Sequence, residues 1–269
     1  MTRTVFFVSD RTGITAETLG HGLLTQFESI PFVRVSLRFI DSIDKASGAA
    51  VRINDAAERD GVKPIVFSTL VDTPVRDVVA ASRCVFFDLF DAFIEPLEQE
   101  LGIQSSHAMG RSHAMASDGA YSQRIDAVNF ALRYDDGATT HGYDRAEAVL
   151  LGVSRSGKTP TCLYLALRYG TYAANYPLTE DDLDNPRLPQ VLEPYRAKLF
   201  ALTIRPERLH EIRSERRPGS RYASLKQCQQ EVRQAEALYR AQSIPCLDTT
   251  HMSVEEIAAS VIETVNARR

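Results

Sequence analysis

The sequence predicts the α/β class. Three observations carry it: short apolar runs alternate with segments of helical period, the alternation restarts after an aperiodic stretch, and a second-half apolar run feeds a glycine-rich turn. Val5-Phe6-Phe7-Val8 reads as a buried strand, and Ala16, Leu19, Leu23, Leu24 and Phe27 predict a helix over 15–27. Alternation over 33–39 gives a second strand, 44–59 a helix, 64–67 a third strand, 74–81 a helix, and Cys84-Val85-Phe86-Phe87 a fourth strand. Strands separated by helices at this spacing call for a parallel sheet covered on both faces.

From Gly102 to Gly119 the periodicity fails, which marks a connecting or active-site segment. A helix over 122–132 follows, then Asp135-Asp136-Gly137 as a turn, then the apolar strand Ala148-Val149-Leu150-Leu151. Later come a strand over 198–204, helices over 206–213 and 224–242, a strand over 244–247, and a helix over 253–267. That last helix opens on the capping-box pattern Ser253-Val254-Glu255-Glu256. The expected organisation is an N-terminal domain over 1–105, a connecting segment over 106–145 and a second domain over 146–269.

With 269 residues, 44% hydrophobic and 25% charged, the chain is long enough for one large or two small cores. A net charge of −4 with dispersed Lys and Arg argues against a nucleic-acid partner. The apolar run ending at Val8 is shorter than a signal or membrane segment needs, so a cytoplasmic protein without a membrane partner is expected. Cys84, Cys162, Cys228 and Cys246 lie far apart with no CxxC, which suits buried small side chains better than a zinc site.

Gly152-Val153-Ser154-Arg155-Ser156-Gly157-Lys158-Thr159 has the form GxxxxGK[ST]. The pattern is short, and its context decides it: Val149-Leu150-Leu151 enters, and a helix over 161–168 leaves, closing at Gly170. Glycines at 152 and 157 let backbone N–H groups converge on phosphate oxygens at a helix N-terminus, with Lys158 to neutralise them. Thr159 has the hydroxyl that such loops use to hold Mg2+, and Pro160 sits in the first helical turn, where a missing N–H costs nothing. The alternative is a turn that merely reverses the chain. The fold expected is therefore a Rossmann-like parallel-sheet domain followed by a P-loop kinase-like α/β domain.

Phosphoryl transfer needs further cations and a carboxylate for the acceptor hydroxyl. Arg213, Arg216, Arg217 and Arg221 make residues 212–221 a candidate lid, or else a solvated helix end. Asp135 and Asp136 are the first choice of carboxylate, and Asp88, directly after an apolar strand in the manner of a magnesium site, is the weaker candidate. Ser9-Asp10-Arg11-Thr12-Gly13 lies at a strand-to-helix junction where open α/β sheets bind ligands, and Gly110-Arg111-Ser112-His113 places Arg111 and His113 in the aperiodic stretch as further catalytic candidates.

Together Val8-Ser9-Asp10-Arg11-Thr12-Gly13 with Glu17, Gly110-Arg111-Ser112-His113, Asp135-Asp136-Gly137 and the run Gly152 to Thr161 resemble the phosphoenolpyruvate synthase regulatory proteins over nearly the whole chain. These are akin to the pyruvate, phosphate dikinase regulatory proteins. The resemblance implies a bifunctional serine/threonine kinase and phosphorylase acting on one threonine of phosphoenolpyruvate synthase. In the forward direction ADP gives its β-phosphate and AMP leaves; in reverse, inorganic phosphate removes the group as pyrophosphate. Two rivals are a P-loop small-molecule kinase, to which Leu247-Asp248-Thr249-Thr250 is also suited, and a non-catalytic nucleotide-sensing regulator. A homo-oligomer stays open.

Overall fold

The computed structural model describes residues 2–27, 29–105, 118–137, 139–184 and 187–267, and of 118–121 the backbone alone. Gly110, Arg111, Ser112 and His113 lie outside the described residues. The chain forms two compact units, residues 1–115 and 116–269, each built on a four-stranded parallel sheet, so the predicted α/β class holds.

In the first unit β1 (Arg3–Val8) lies between β2 (Phe32–Leu37) and β3 (Ile65–Ser68), with β4 (Val85–Asp88) outside β3. Alternate side chains of β1 feed two cores. Phe6 and Val8 pack with α2 (Ile43–Asp60) and α3 (Thr73–Ala80), while Val5 and Phe7 pack with α1 (Ile14–Leu24). Helix α1 lies directly on the stacked rings of Phe7 and Phe67, and Phe67 stacks in turn on Phe87. Gly20 is what permits the approach, since a Cβ there would stand 2.6 Å from Phe7 and 2.7 Å from Phe67.

Helix α4 (Asp91–Leu101) has no counterpart in the sequence reading. Phe93, Ile94, Leu97 and Leu101 fall at helical spacing, but Pro96 stands inside the helix and none of its residues is buried.

The second unit begins with α5 (Asp118–Arg133). Its sheet follows the order β6 (Ala173–Pro177), β5 (Ala148–Gly152), β7 (Leu199–Thr203), β8 (Cys246–Asp248). Helices α5, α6 (Lys158–Tyr169) and α10 (Val254–Ala267) cover one face. The other is covered by α8 (Pro206–Arg216) and α9 (Leu225–Ala241), with the single turn α7 (Glu180–Leu183) beside them. Gly170 ends α6 in the left-handed conformation, and Ser253 and Glu256 form the expected capping box.

Strand β6 also has no counterpart in the sequence pattern, because Ala-Ala-Asn-Tyr-Pro lacks β-branched residues. It exists because β5 templates it, and its edge position tolerates Pro177. Cys162 and Cys228 are buried, Cys84 is half-buried and Cys246 exposed. No helix among the described residues is long and apolar enough to cross a membrane.

Candidate functional site

Strand β5 is buried along its whole length and delivers Gly152 to the point where the strand order turns, between β6 and β7. Ligands of open α/β sheets gather at such points, outside the carboxyl ends of the strands. Gly152 has no room for a side chain: a Cβ would stand 2.6 Å from Ser156 Oγ and 2.8 Å from the Leu202 carbonyl. Arg155 (φ 75°) and Gly157 (φ 93°) both take left-handed backbone, which folds the loop back so that α6 can start at Lys158. No side chain caps that helix, so its first N–H groups and its positive dipole end face the loop.

Lys158 is 4% exposed, and its ammonium donates to the Val153 carbonyl at 3.0 Å. Burial pushes its pKa down to about 8, against the opposing pull of Asp136 and, less strongly, Asp135. Thr159 Oγ1 donates to Asp135 Oδ1 at 2.7 Å, and the Asn175 side-chain amide donates to that same oxygen. The Asn175 Oδ1 accepts the Asp136 N–H at 3.1 Å. Thus Lys158, Thr159, Asp135 and Asp136 come together in one cluster on the second sheet. Asn175, fully buried in β6, escapes sequence reasoning because only knowledge of β6 reveals where it stands.

Behind the loop the structure corrects one expectation. Arg213 is not a mobile lid cation: it is fully buried, donating to Glu231 at 2.6 Å and to the carbonyls of Ser154 and Tyr222 at 3.1 Å. Its guanidinium lies 4.1 Å from the Tyr222 ring centroid, and the Tyr222 hydroxyl meets Ser154 Oγ at 2.8 Å. This buried pair braces the loop from within the protein. Arg216, Arg217 and Arg221 are exposed.

Asp88 closes β4 in the first unit. It belongs to the first sheet, where its Oδ1 accepts the N–H groups of Phe90 and Asp91 at 3.0 Å and its Oδ2 faces Arg76 at 3.5 Å. At the first unit's own strand-to-helix junction, Gly13 (φ 79°) starts α1 without a side-chain cap. Arg38 and Glu17 pair there at 2.8 Å. Asp10 is 7% exposed, with burial raising its pKa, and its Oδ2 meets no hydrogen-bond partner among the described residues.

Comparison with known proteins decides the family. The sequence pattern of the kinase/pyrophosphorylase family matches residues 5–262. The chain belongs to the kinase/pyrophosphorylase family. Among its relatives, a Pseudomonas putida protein is 55% identical over 97% of this chain and 96% of its own length. A Halorhodospira halophila protein is 58% identical over 97% and 95%, and a Marinobacter nauticus protein 53% identical over 100% and 99%. All three are provisionally named phosphoenolpyruvate synthase regulatory protein. Membership fits the strand–loop–helix at residues 148–169, since both activities in the family's description handle phosphate groups.

Proposed function

We propose that this protein regulates phosphoenolpyruvate synthase by moving a phosphoryl group on and off one of its threonines, using ADP as donor and inorganic phosphate as the removing nucleophile. The observation that supports it most is the convergence, at the end of β5, of an uncapped helix N-terminus, a buried lysine and the Thr159–Asp135 hydrogen bond. Both reactions place a phosphoryl group between two anionic groups, so one anion-binding loop serves both.

In this reading the N–H groups of residues 152–159 bind the β-phosphate of ADP or the incoming inorganic phosphate. Lys158 exchanges the Val153 carbonyl for a phosphate oxygen, which favours its charged form and stabilises the charge of the transferring group. Thr159 Oγ1 and the Asp135 carboxylate are oxygen donors of the kind Mg2+ takes, and these two would hold it. Mg2+ keeps waters and substrate oxygens around it, so it does not need a protein-only cage, and none of three or more His, Cys, Asp or Glu occurs among the described residues. When bound, it neutralises phosphate charge. Arg213 holds the loop's backbone in shape through the Ser154 carbonyl.

The test is incubation with β-labelled ADP and purified synthase, followed by unlabelled phosphate. The expected sequence is AMP release with label on a synthase threonine, then labelled pyrophosphate. Unlabelled synthase, or turnover of a small metabolite without protein acceptor, would contradict the proposal.

A further inference from the structure

We infer that Asp136, rather than Asp135, exchanges the proton of the acceptor hydroxyl, and that Asn175 is the positioning residue that gives the two adjacent acids their different tasks. The inference rests on the phosphotransfer reading above and deepens it.

The two carboxylates are not equivalent. Asp135 is half-buried, and its Oδ1 already receives two donors, the Thr159 hydroxyl at 2.7 Å and the Asn175 amide. That side chain is fixed against the start of α6, where oxygen ligands for the phosphates' metal belong, and its Oδ1 is occupied. Asp136 is exposed, and among the described residues no hydrogen bond or ion pair ends on its carboxylate. A residue that takes a proton from a protein's hydroxyl needs free lone pairs and an open approach, and Asp136 has both. It also lies within electrostatic reach of the phosphate-binding lysine, on which it is the largest opposing charge.

The backbone supports the same division. Asp136 sits at φ 50°, ψ 31°, a left-handed conformation that a residue with a Cβ adopts at a cost and keeps only where its surroundings hold it. What holds it is Asn175. This fully buried side chain accepts the Asp136 N–H with its oxygen and donates to Asp135 with its nitrogen, and the backbone carbonyl of Asn175 accepts the buried Tyr143 hydroxyl at 2.9 Å. One amide therefore turns Asp135 toward Thr159 and leaves Asp136 facing outward.

The chemistry balances. In the forward step the threonine Oγ bonds to the β-phosphorus, the bond from that phosphorus to the α–β bridging oxygen breaks, AMP leaves and the hydroxyl proton passes to Asp136. In the reverse reaction a phosphate oxygen bonds to the phosphothreonine phosphorus and the P–Oγ bond breaks. Pyrophosphate leaves, and Asp136 returns a proton to Oγ.

Steady-state kinetics of the full chain with ADP and synthase test the division, with ADP affinity measured by calorimetry as the check on folding. Asp136→Asn is expected to lower kcat in both directions by about 10²-fold or more at near-normal KM for ADP, the size a positioned acid or base contributes. Asp136→Gly removes the carboxylate while relieving the left-handed backbone, so it folds at least as well and loses the same activity. Asp135→Asn raises the KM for ADP instead. Asn175→Ala lowers kcat as Asp136→Asn does, and Asn175→Gln, which keeps both the acceptor for the Asp136 N–H and the donor to Asp135, recovers part of that loss. Wild-type turnover in Asp136→Asn or Asp136→Gly overturns this inference alone, whereas a wild-type chain that moves no label from ADP overturns the phosphotransfer reading and the inference with it.

Discussion

The two units solve the same topological problem with opposite charges. Each sheet runs second, first, third, fourth strand, and in each the first strand hands over to a helix that starts at a left-handed glycine, Gly13 or Gly157, without a side-chain cap. The backbone thus offers an anion-friendly helix end twice. What differs is the buried ionisable group beside it: Asp10 in the first unit and Lys158 in the second. Topology supplies the place twice, and the two places differ in the sign of the desolvated side chain beside them.

The sharpest way to break this comparison is to remove each charge in turn. Lys158→Ala is expected to slow phosphorylation and phosphorolysis by about 10² to 10³-fold, the usual loss when one preorganised donor to a developing charge is deleted. Asp10→Asn leaves both rates unchanged, and paired rate measurements on the two variants check this.

Next in size is a steric pair. Gly152→Ala and Gly20→Ala both force a Cβ to within 2.6 Å of its nearest neighbour, so each is expected to cost about 1–3 kcal/mol of stability by denaturant titration. Only the first is also expected to lose ADP affinity, because only there does the displaced atom, Ser156 Oγ, belong to the loop proposed to bind phosphate. Equal ADP affinity in the two variants would erase the distinction between the units.

The strand–loop–helix over 148–169 was legible because each of its signals is local: an apolar run, glycines where the chain must turn sharply, and a C-capping glycine. Other features depend on neighbours distant in sequence. Asn175 sits in a segment with no strand propensity, and its value comes from reaching Asp135 and the Asp136 N–H across the sheet edge. Arg213 reads as one more charge in a polar helix until Glu231, Tyr222 and the Ser154 carbonyl are found around it. Helix α4 has an apolar stripe in Phe93, Ile94, Leu97 and Leu101, but Pro96 in its interior reads as a helix breaker. Of the paired acids, sequence located both and separated neither.

Two smaller effects concern protons. Bound phosphate favours the charged lysine, so free protein above about pH 8 must take up a proton on binding. ADP affinity is therefore expected to be flat below pH 8 and to weaken above it, by no more than about tenfold per pH unit for one proton, as calorimetry across that range would register.

In the first unit, burial raises the Asp10 pKa, so the folded chain holds that proton longer than the unfolded one. The contribution to stability is complete below the ordinary aspartate value of 3.8 and is lost as pH rises through the folded-state value. Thermal melts should show wild type losing ground to Asp10→Asn as pH rises through that window.

The most direct measurement of the central claim is ADP binding by calorimetry to the full-length wild type, Lys158→Ala and Asp10→Asn proteins. The account predicts that binding weakens by about 10²-fold or more in Lys158→Ala, as expected for a lost charge-assisted contact in a buried site, and is unaltered in Asp10→Asn. Wild-type affinity in Lys158→Ala, or loss of binding in Asp10→Asn alone, would contradict it.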